Sequence, residues 1–175
     1  MLFCGLDIGA ATTKAVILSD GGMVSYAVLP TGRSVNLATD KVLEEATRKL
    51  RPGIADFARV VATGYGRHAV PFADRAVSEI ICHAKGLNSL LPSARTVIDI
   101  GGQDSKVIAL DADGNVTNFV MNDKCAAGTG RFIEVMANVL EVPLENMGAL
   151  SLSSGKPCMI SSTCLLYTSP SPRDR

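Results

Sequence analysis

Two stretches of the 175-residue chain set aspartate, glycine and lysine at the same spacing. Asp7-Ile8-Gly9-Ala10-Ala11-Thr12-Thr13-Lys14 and Asp99-Ile100-Gly101-Gly102-Gln103-Asp104-Ser105-Lys106 align without a gap, with Asp first, Gly third and Lys eighth. A glycine turn lets backbone N–H groups approach a phosphate with no Cβ in the way. An aspartate ending the preceding strand repels phosphate but can hold Mg²⁺, usually through water, and the metal bridges to phosphate oxygens. Around the first turn, Gly9 and Ala10 supply backbone, Thr12 and Thr13 supply hydroxyls, and Lys14 supplies a compact cation. Asp99, Gly101 and Gly102 occupy the same places in the second. One Asp-x-Gly turn is common in hairpins; two in equivalent places point to a nucleotide clamped between duplicated lobes. The plainer alternative is that Lys14 and Lys106 point to solvent from strand edges. Neither turn is a Walker A loop or a GxGxxG fingerprint.

The elements that must carry these turns follow from the hydrophobic pattern. Leu2–Ile8, Thr12–Leu18 and Met23–Leu29 read as three antiparallel strands, the last two joined at Asp20-Gly21-Gly22. Asn36–Leu50 has helical spacing and stops at Arg51-Pro52-Gly53. Phe57–Ala62 is a strand followed by the turn Thr63-Gly64-Tyr65-Gly66, and Ala76–Leu91 is a helix. The pattern then restarts with strands Thr96–Ile100, Ser105–Leu110 and Val116–Met121 and a helix over Ala126–Leu140. The expectation is an α/β protein of two βββα lobes, residues 1–93 and 94–164, facing each other across a cleft.

Composition removes several classes. Seventeen basic and seventeen acidic residues leave no net charge, against a nucleic-acid surface or a polybasic membrane anchor. No apolar run is long enough to span a membrane. The start MLFCGLDIG lacks the basic and apolar regions of a signal peptide. A cytoplasmic protein with reduced thiols is expected, so the five cysteines are packing residues, metal ligands or nucleophiles rather than a disulfide framework. Cys4 falls in a core strand. Cys82 and His83 fall in a helix and read as packing. His68 reads as a turn residue, and Arg67 and Arg131 are candidates for a phosphate or partner contact. Cys125 precedes a helix, where the dipole favours a thiolate. A lone cysteine at such a cap is more often structural than a ligand, and no CxxC pair accompanies it.

The segments LDIGAATTKAVIL, ATGYGR, EIICHAKG, VIDIGGQDSK, FVMNDKCAAGTGRFIEVMA and ISSTC together carry a resemblance. The two Asp-Gly motifs resemble the phosphate motifs of the actin, hexokinase and heat-shock-chaperone ATPases. The wider set, over about residues 2–164, resembles the activator ATPases of 2-hydroxyacyl-CoA dehydratases and the related ATPase subunits of benzoyl-CoA reductase. The resemblance implies an actin-like (ribonuclease H-like) α/β fold with a second lobe that is incomplete here. It implies ATP or ADP with Mg²⁺, Asp7 and Asp104 positioning the metal and the attacking water, and Gly9 to Lys14 and Gly101 to Gln103 holding phosphates. Asp99 is a second metal candidate, and Gln103 could orient water by residue type. It also implies a homodimer sharing one [4Fe-4S] cluster, with Cys125 and Cys164 from each subunit. A ferredoxin or flavodoxin would give the electron, and a 2-hydroxyacyl-CoA dehydratase or related reductase would receive it. A sugar or small-molecule kinase of the same superfamily and a nucleotide-switched, chaperone-like binding protein are the rival readings.

The end of the chain does not match what precedes it. Cys164–Asp174, CLLYTSPSPRD, equals the translation of the transposon mosaic-end adapter used in sequencing libraries. Residues 165–175 are therefore expected to be adapter read-through, with Cys164 encoded by gene or adapter and the native protein continuing further.

Overall fold

The structure is a computed structural model that describes residues 1–50, 53, 56–122 and 129–157. Period-two burial sets the strands of the first half: in β1 (Leu2–Ile8) Cys4, Leu6 and Ile8 face inward, and in β2 (Thr12–Ser19) Thr13, Ala15 and Ile17 do the same. Between β2 and β3 (Gly22–Pro30), Asp20 and Gly21 take φ of 47° and 85°. Positive φ at both central residues is the type I′ hairpin turn, whose twist matches that of the strands and which Asp-Gly allows. Helix α1 (Val35–Thr47) starts at Ser34, whose Oγ accepts from Leu37 N at 3.4 Å, and it buries Ala38, Thr39, Val42 and Ala46 along one stripe.

The chain then returns to the sheet centre. β4 (Phe57–Thr63) pairs parallel with β1, and β5 (Arg75–Ala76) pairs parallel with β4, giving the order β3-β2-β1-β4-β5. The core gathers Leu6, Ile8, Ile17, Val42, Val60 and Ala62 between sheet and helix. Phe3, Leu18, Val24, Tyr26 and Val28 are exposed on the same strands.

Helix α2 is Glu79–Leu90, three residues later in onset than its spacing predicts. The pairing of Arg75 and Ala76 with Val61 and Ala62, continued by Val77 N to Ala62 O at 2.9 Å, holds that segment extended. Likewise α1 stops at Thr47 rather than Leu50, where a turn bond from Leu50 N to Thr47 O replaces the helical ladder.

The second sheet has the order β6-β7-β8, from Thr96–Ile100, Ser105–Leu110 and Val116–Met121, the ranges read from sequence. Lys106 and Ile108 are buried, whereas Ile98, Ile100 and Val107 are exposed. The turn after β7 is closed by Asp111, whose Oδ1 accepts from the amides of Asp113 and Asn115. The bonds from Asn115 hold its carboxyl below the usual carboxylate range. Helix α3 (Gly130–Val139) is capped by Thr129, fully buried, whose Oγ1 accepts from Phe132 N at 3.4 Å. The expected helix start at Ala126 lies outside the described residues, as do Cys125, Cys158, Cys164 and the tail. A short α4 (Met147–Leu152) follows; its six residues are too few for periodicity to reveal. The chain forms two compact units, Met1–Arg95 with Leu110–Thr117, and Thr96–Ala109 with the residues from Asn118 on. No helix of the described residues is long and apolar enough to cross a membrane.

Burial at the core gives one thiol an abnormal titration. Cys4 is 2 % exposed, and desolvation of its charged form pushes its pKa from 9.0 to about 11. Between those values only the unfolded chain releases the proton. The stability that the neutral thiol contributes is therefore complete below pH 9 and falls as pH climbs toward 11. Urea midpoints measured across this range should fall more steeply for the wild type than for Cys4→Ala; parallel slopes would exclude Cys4 as the group responsible.

Candidate functional site

The antiparallel register of β1 and β2 puts Asp7 directly opposite Lys14 and Ile8 opposite Thr13. Lys14 Nζ donates to Asp7 Oδ2 at 2.9 Å, with both side chains partly exposed. The hairpin between them closes with Gly9 N donating to Thr12 O at 3.0 Å. A Cβ on Gly9 would lie 2.8 Å from Thr12 O, closer than real Cβ atoms come. Ala10 is exposed at the tip. Thr13 is fully buried, and its hydroxyl lies 2.9 Å from that of Thr31. The side chain that the sequence assigned to phosphate thus points into the fold and is engaged there.

A second loop supports the same strand end. Thr63, at the end of β4, is the parallel partner of Asp7. Gly64 follows with φ of 83°, and a Cβ there would lie 2.6 Å from Ile8 O and closer still to the Asp7 carboxylate. Gly66 N donates to Ile8 O at 2.9 Å. Arg67 Nη1 donates to Gly64 O at 3.0 Å and lies 3.5 Å from Glu79 Oε2. The Thr-Gly-Tyr-Gly segment is thus a buttress for Asp7, a role its sequence announced only as a glycine-rich turn. His68 is exposed in a short 3₁₀ turn.

The second turn reproduces the first. Asp99 pairs opposite Lys106 and Ile100 opposite Ser105. Gly101 N donates to Asp104 O at 2.8 Å, and a Cβ on Gly101 would meet Asp104 at about 2.9 Å. Gly102 and Gln103, both partly buried, form the tip. Lys106 Nζ is 2.6 Å from Asp104 Oδ1 and 3.5 Å from Asp99 Oδ2, with the lysine side chain only 3 % exposed. The solvent-facing alternative fails for Lys106, which is buried against two carboxylates, while Lys14 is turned onto Asp7 with its side chain still 38 % exposed. An ammonium is tolerated this deep because two carboxylates face it.

The carboxylates of each turn are oxygen donors of the kind a hard cation takes, but no group of three or more His, Cys, Asp or Glu able to hold a metal ion occurs among the described residues. Asp7, Asp99 and Asp104 are carboxylates whose side chains remain 22 %, 19 % and 25 % exposed. Oxygen ligands at the surface match a Mg²⁺ that keeps several of its waters. Cys82 and His83, expected to be packing residues, are partly buried and also line a cavity of about 380 Å³ that Asp7, Lys14, Thr63, Tyr26 and Val28 border. The side chain of Arg131 and both expected cluster ligands, Cys125 and Cys164, lie outside the described residues.

Comparison with known proteins joins this geometry to a family. The chain is 45% identical over 168 residues to the 2-hydroxyisocaproyl-CoA dehydratase activator of Clostridioides difficile, covering 95% of this chain and 63% of the relative. It is 46% identical over 168 residues to the (R)-2-hydroxyglutaryl-CoA dehydratase activating ATPase of Acidaminococcus fermentans, covering 93% and 63%. The chain therefore spans a little under two thirds of the length of these relatives. The solved activator of the 2-hydroxyisocaproyl-CoA dehydratase from Clostridium difficile with bound ADPNP superposes with a TM-score of 0.79 at 45% identity, over 95% of this chain and 62% of that one. The α/β fold is that of the actin-like ATPases, as the motif pair implied. Residues 4–167 match the BadF/BadG/BcrA/BcrD ATPase family; with both of its Asp-Gly turns built alike, the chain belongs to that family.

Proposed function

We propose that the chain is the nucleotide-binding part of an ATP-dependent activator that delivers a low-potential electron to a 2-hydroxyacyl-CoA dehydratase or a related benzoyl-CoA reductase-type partner. The observation that carries this reading is the duplicated turn, in which lysine is held across two strands from a strand-terminal aspartate beside a glycine that can admit no Cβ. The relatives named above are activators of such dehydratases.

The two turns differ in charge, and the difference divides their work. Asp7 and Lys14 balance each other, and Thr12 adds a hydroxyl, so the first turn suits phosphate oxygens. Asp99 and Asp104 both face the ammonium of Lys106, and two carboxylates set side by side are the oxygen donors a divalent cation would take. Mg²⁺ supplies charge neutralisation on the phosphates when bound. Gln103, at the tip beside Asp104, would orient water by its residue type. Thr13 serves the first turn by packing beneath it rather than by touching phosphate.

Cys125 and Cys164 are the thiols assigned to the cluster. The family resemblance implies that each chain would contribute these two, so that the four thiolates of one cluster would come from a homodimer. The [4Fe-4S] group supplies a one-electron carrier when bound. A reduced ferredoxin or flavodoxin would be the source of the electron such a group would carry, and ATP held at the Asp-Gly turns would supply the driving energy.

Two measurements on the full-length protein test this reading. After anaerobic reconstitution with iron and sulfide, the wild type should hold about four iron atoms per dimer and give a cluster spectrum on reduction. Cys125→Ser should lose both; a wild type that holds no iron leaves the kinase alternative standing and removes the activator. In steady-state assays Asp7→Asn should lower ATP hydrolysis on the order of a hundredfold, because the carboxylate that holds Lys14 in place across the turn is gone. Unchanged hydrolysis would place the nucleotide elsewhere.

A further inference from the structure

We infer that Thr31, which lies outside both Asp-Gly motifs, is the positioning residue of the first phosphate turn. The inference rests on the nucleotide reading of that turn. Thr31 follows β3, is 7 % exposed, and reaches the turn from beneath. Its hydroxyl donates to Gly9 O at 2.7 Å, and its amide donates to Ala11 O at 3.0 Å. A hydroxyl has one proton to give. With that proton on Gly9 O, the 2.9 Å contact between the Thr31 and Thr13 hydroxyls must run from Thr13 to Thr31. The order Thr13 to Thr31 to Gly9 is thereby fixed, and buried Thr13 acquires a purpose.

The consequence lies on the other side of the turn. A peptide group is planar and trans, so a carbonyl and the N–H that follows it point in opposite directions. Drawing Gly9 O toward Thr31 turns the Ala10 amide away from it, and drawing Ala11 O the same way turns the Thr12 amide away. Two donors of the turn are thus oriented by a residue that does not face the ligand. Preset donors of this kind require no reorganisation when charge arrives.

The second turn is anchored by the same logic with different groups. Gly101 O accepts from the amide of Gly130 at 3.0 Å, the residue that begins α3. Ser105, the counterpart of Thr13, exchanges bonds with Asn122: its amide donates to Asn122 Oδ1 at 2.6 Å, and its carbonyl accepts from Asn122 N at 3.1 Å. Both glycine carbonyls are held from behind, by a hydroxyl in one unit and an amide in the other.

The test is Mg²⁺-dependent binding of a non-hydrolysable ATP analogue to the full-length protein, alongside melting without nucleotide. Thr31→Val keeps shape and the backbone bond but removes the hydroxyl; affinity should fall about tenfold, the factor carried by one buried hydrogen bond. Thr31→Ser should restore affinity to within about twofold. Thr13→Val, an isosteric change that removes the donor to Thr31, should lose about threefold and decides the matter if Thr31→Val does not fold. Thr39→Val is the control: it too deletes a buried hydroxyl, one bonded to Val35 O at 2.9 Å in α1, and should bind as the wild type despite a lower melting temperature. Wild-type affinity in Thr31→Val or in Thr13→Val, equal weakness in Thr31→Ser, or equal weakness in Thr39→Val overturns the assignment. A wild type that does not bind the analogue overturns the nucleotide reading itself, and the assignment with it.

Discussion

A lysine lying straight across an antiparallel pair from a strand-terminal aspartate is the contact on which both turns depend. Side chains directly opposite in such a pair share one face of the sheet. A slip of one residue would send the lysine to the other face and leave the carboxylate alone. Register is therefore specified twice, by burial of Ala15 and Ile17 on one side and by the ion pair on the other. In the second sheet the constraint is tighter. Lys106 is almost completely enclosed, and a buried ammonium must keep its carboxylates close or lose its charge.

The glycines follow from that register. Once Asp7 and Lys14 are opposed, two residues remain to reverse the chain between Gly9 and Thr12, and Thr12 O closes onto the Gly9 amide. That approach leaves no volume for a side chain at position 9 or, by the same geometry, at 101. Gly64 is a separate case. Its positive φ and its position against Asp7 and Ile8 both require glycine, so the end of β1 is crowded by backbone from two loops. Crowding of this kind adds to the Lys14 ion pair in fixing the Asp7 carboxylate.

The strand repeat was legible because it is local. β1, β6, β7 and β8 have the ranges that alternation and turn residues predict, and the Asp-to-Lys spacing gives the cross-strand pairs directly. What the sequence hid is tertiary. β5 is two residues long and exists only because β4 offers an edge, so no pattern within it distinguishes it from the start of α2. Thr31 stands after a proline and before a glycine, which reads as loop punctuation; its value comes from lying under Gly9, 22 residues earlier in the chain. Cys82 and His83 have helical spacing consistent with packing, and only the folded chain sets them beside Asp7 and Lys14 around one cavity.

The two turns share a backbone path but not the groups that hold it. At the position of Thr12 the second turn has Asp104, and the lysine that faces one carboxylate in the first faces two in the second. A duplicated strand–turn–strand unit keeps its register and its glycine because either change would unseat the ion pair. Tethers beneath the turn are freer to differ, since any donor within reach of the glycine carbonyl turns the following amide the same way. Direct alignment of DIGAATTK with DIGGQDSK thus reveals the residues that are constrained by pairing and conceals those constrained only by what they reach. Thr31 in one unit, and Gly130 with Asn122 in the other, belong to the concealed set.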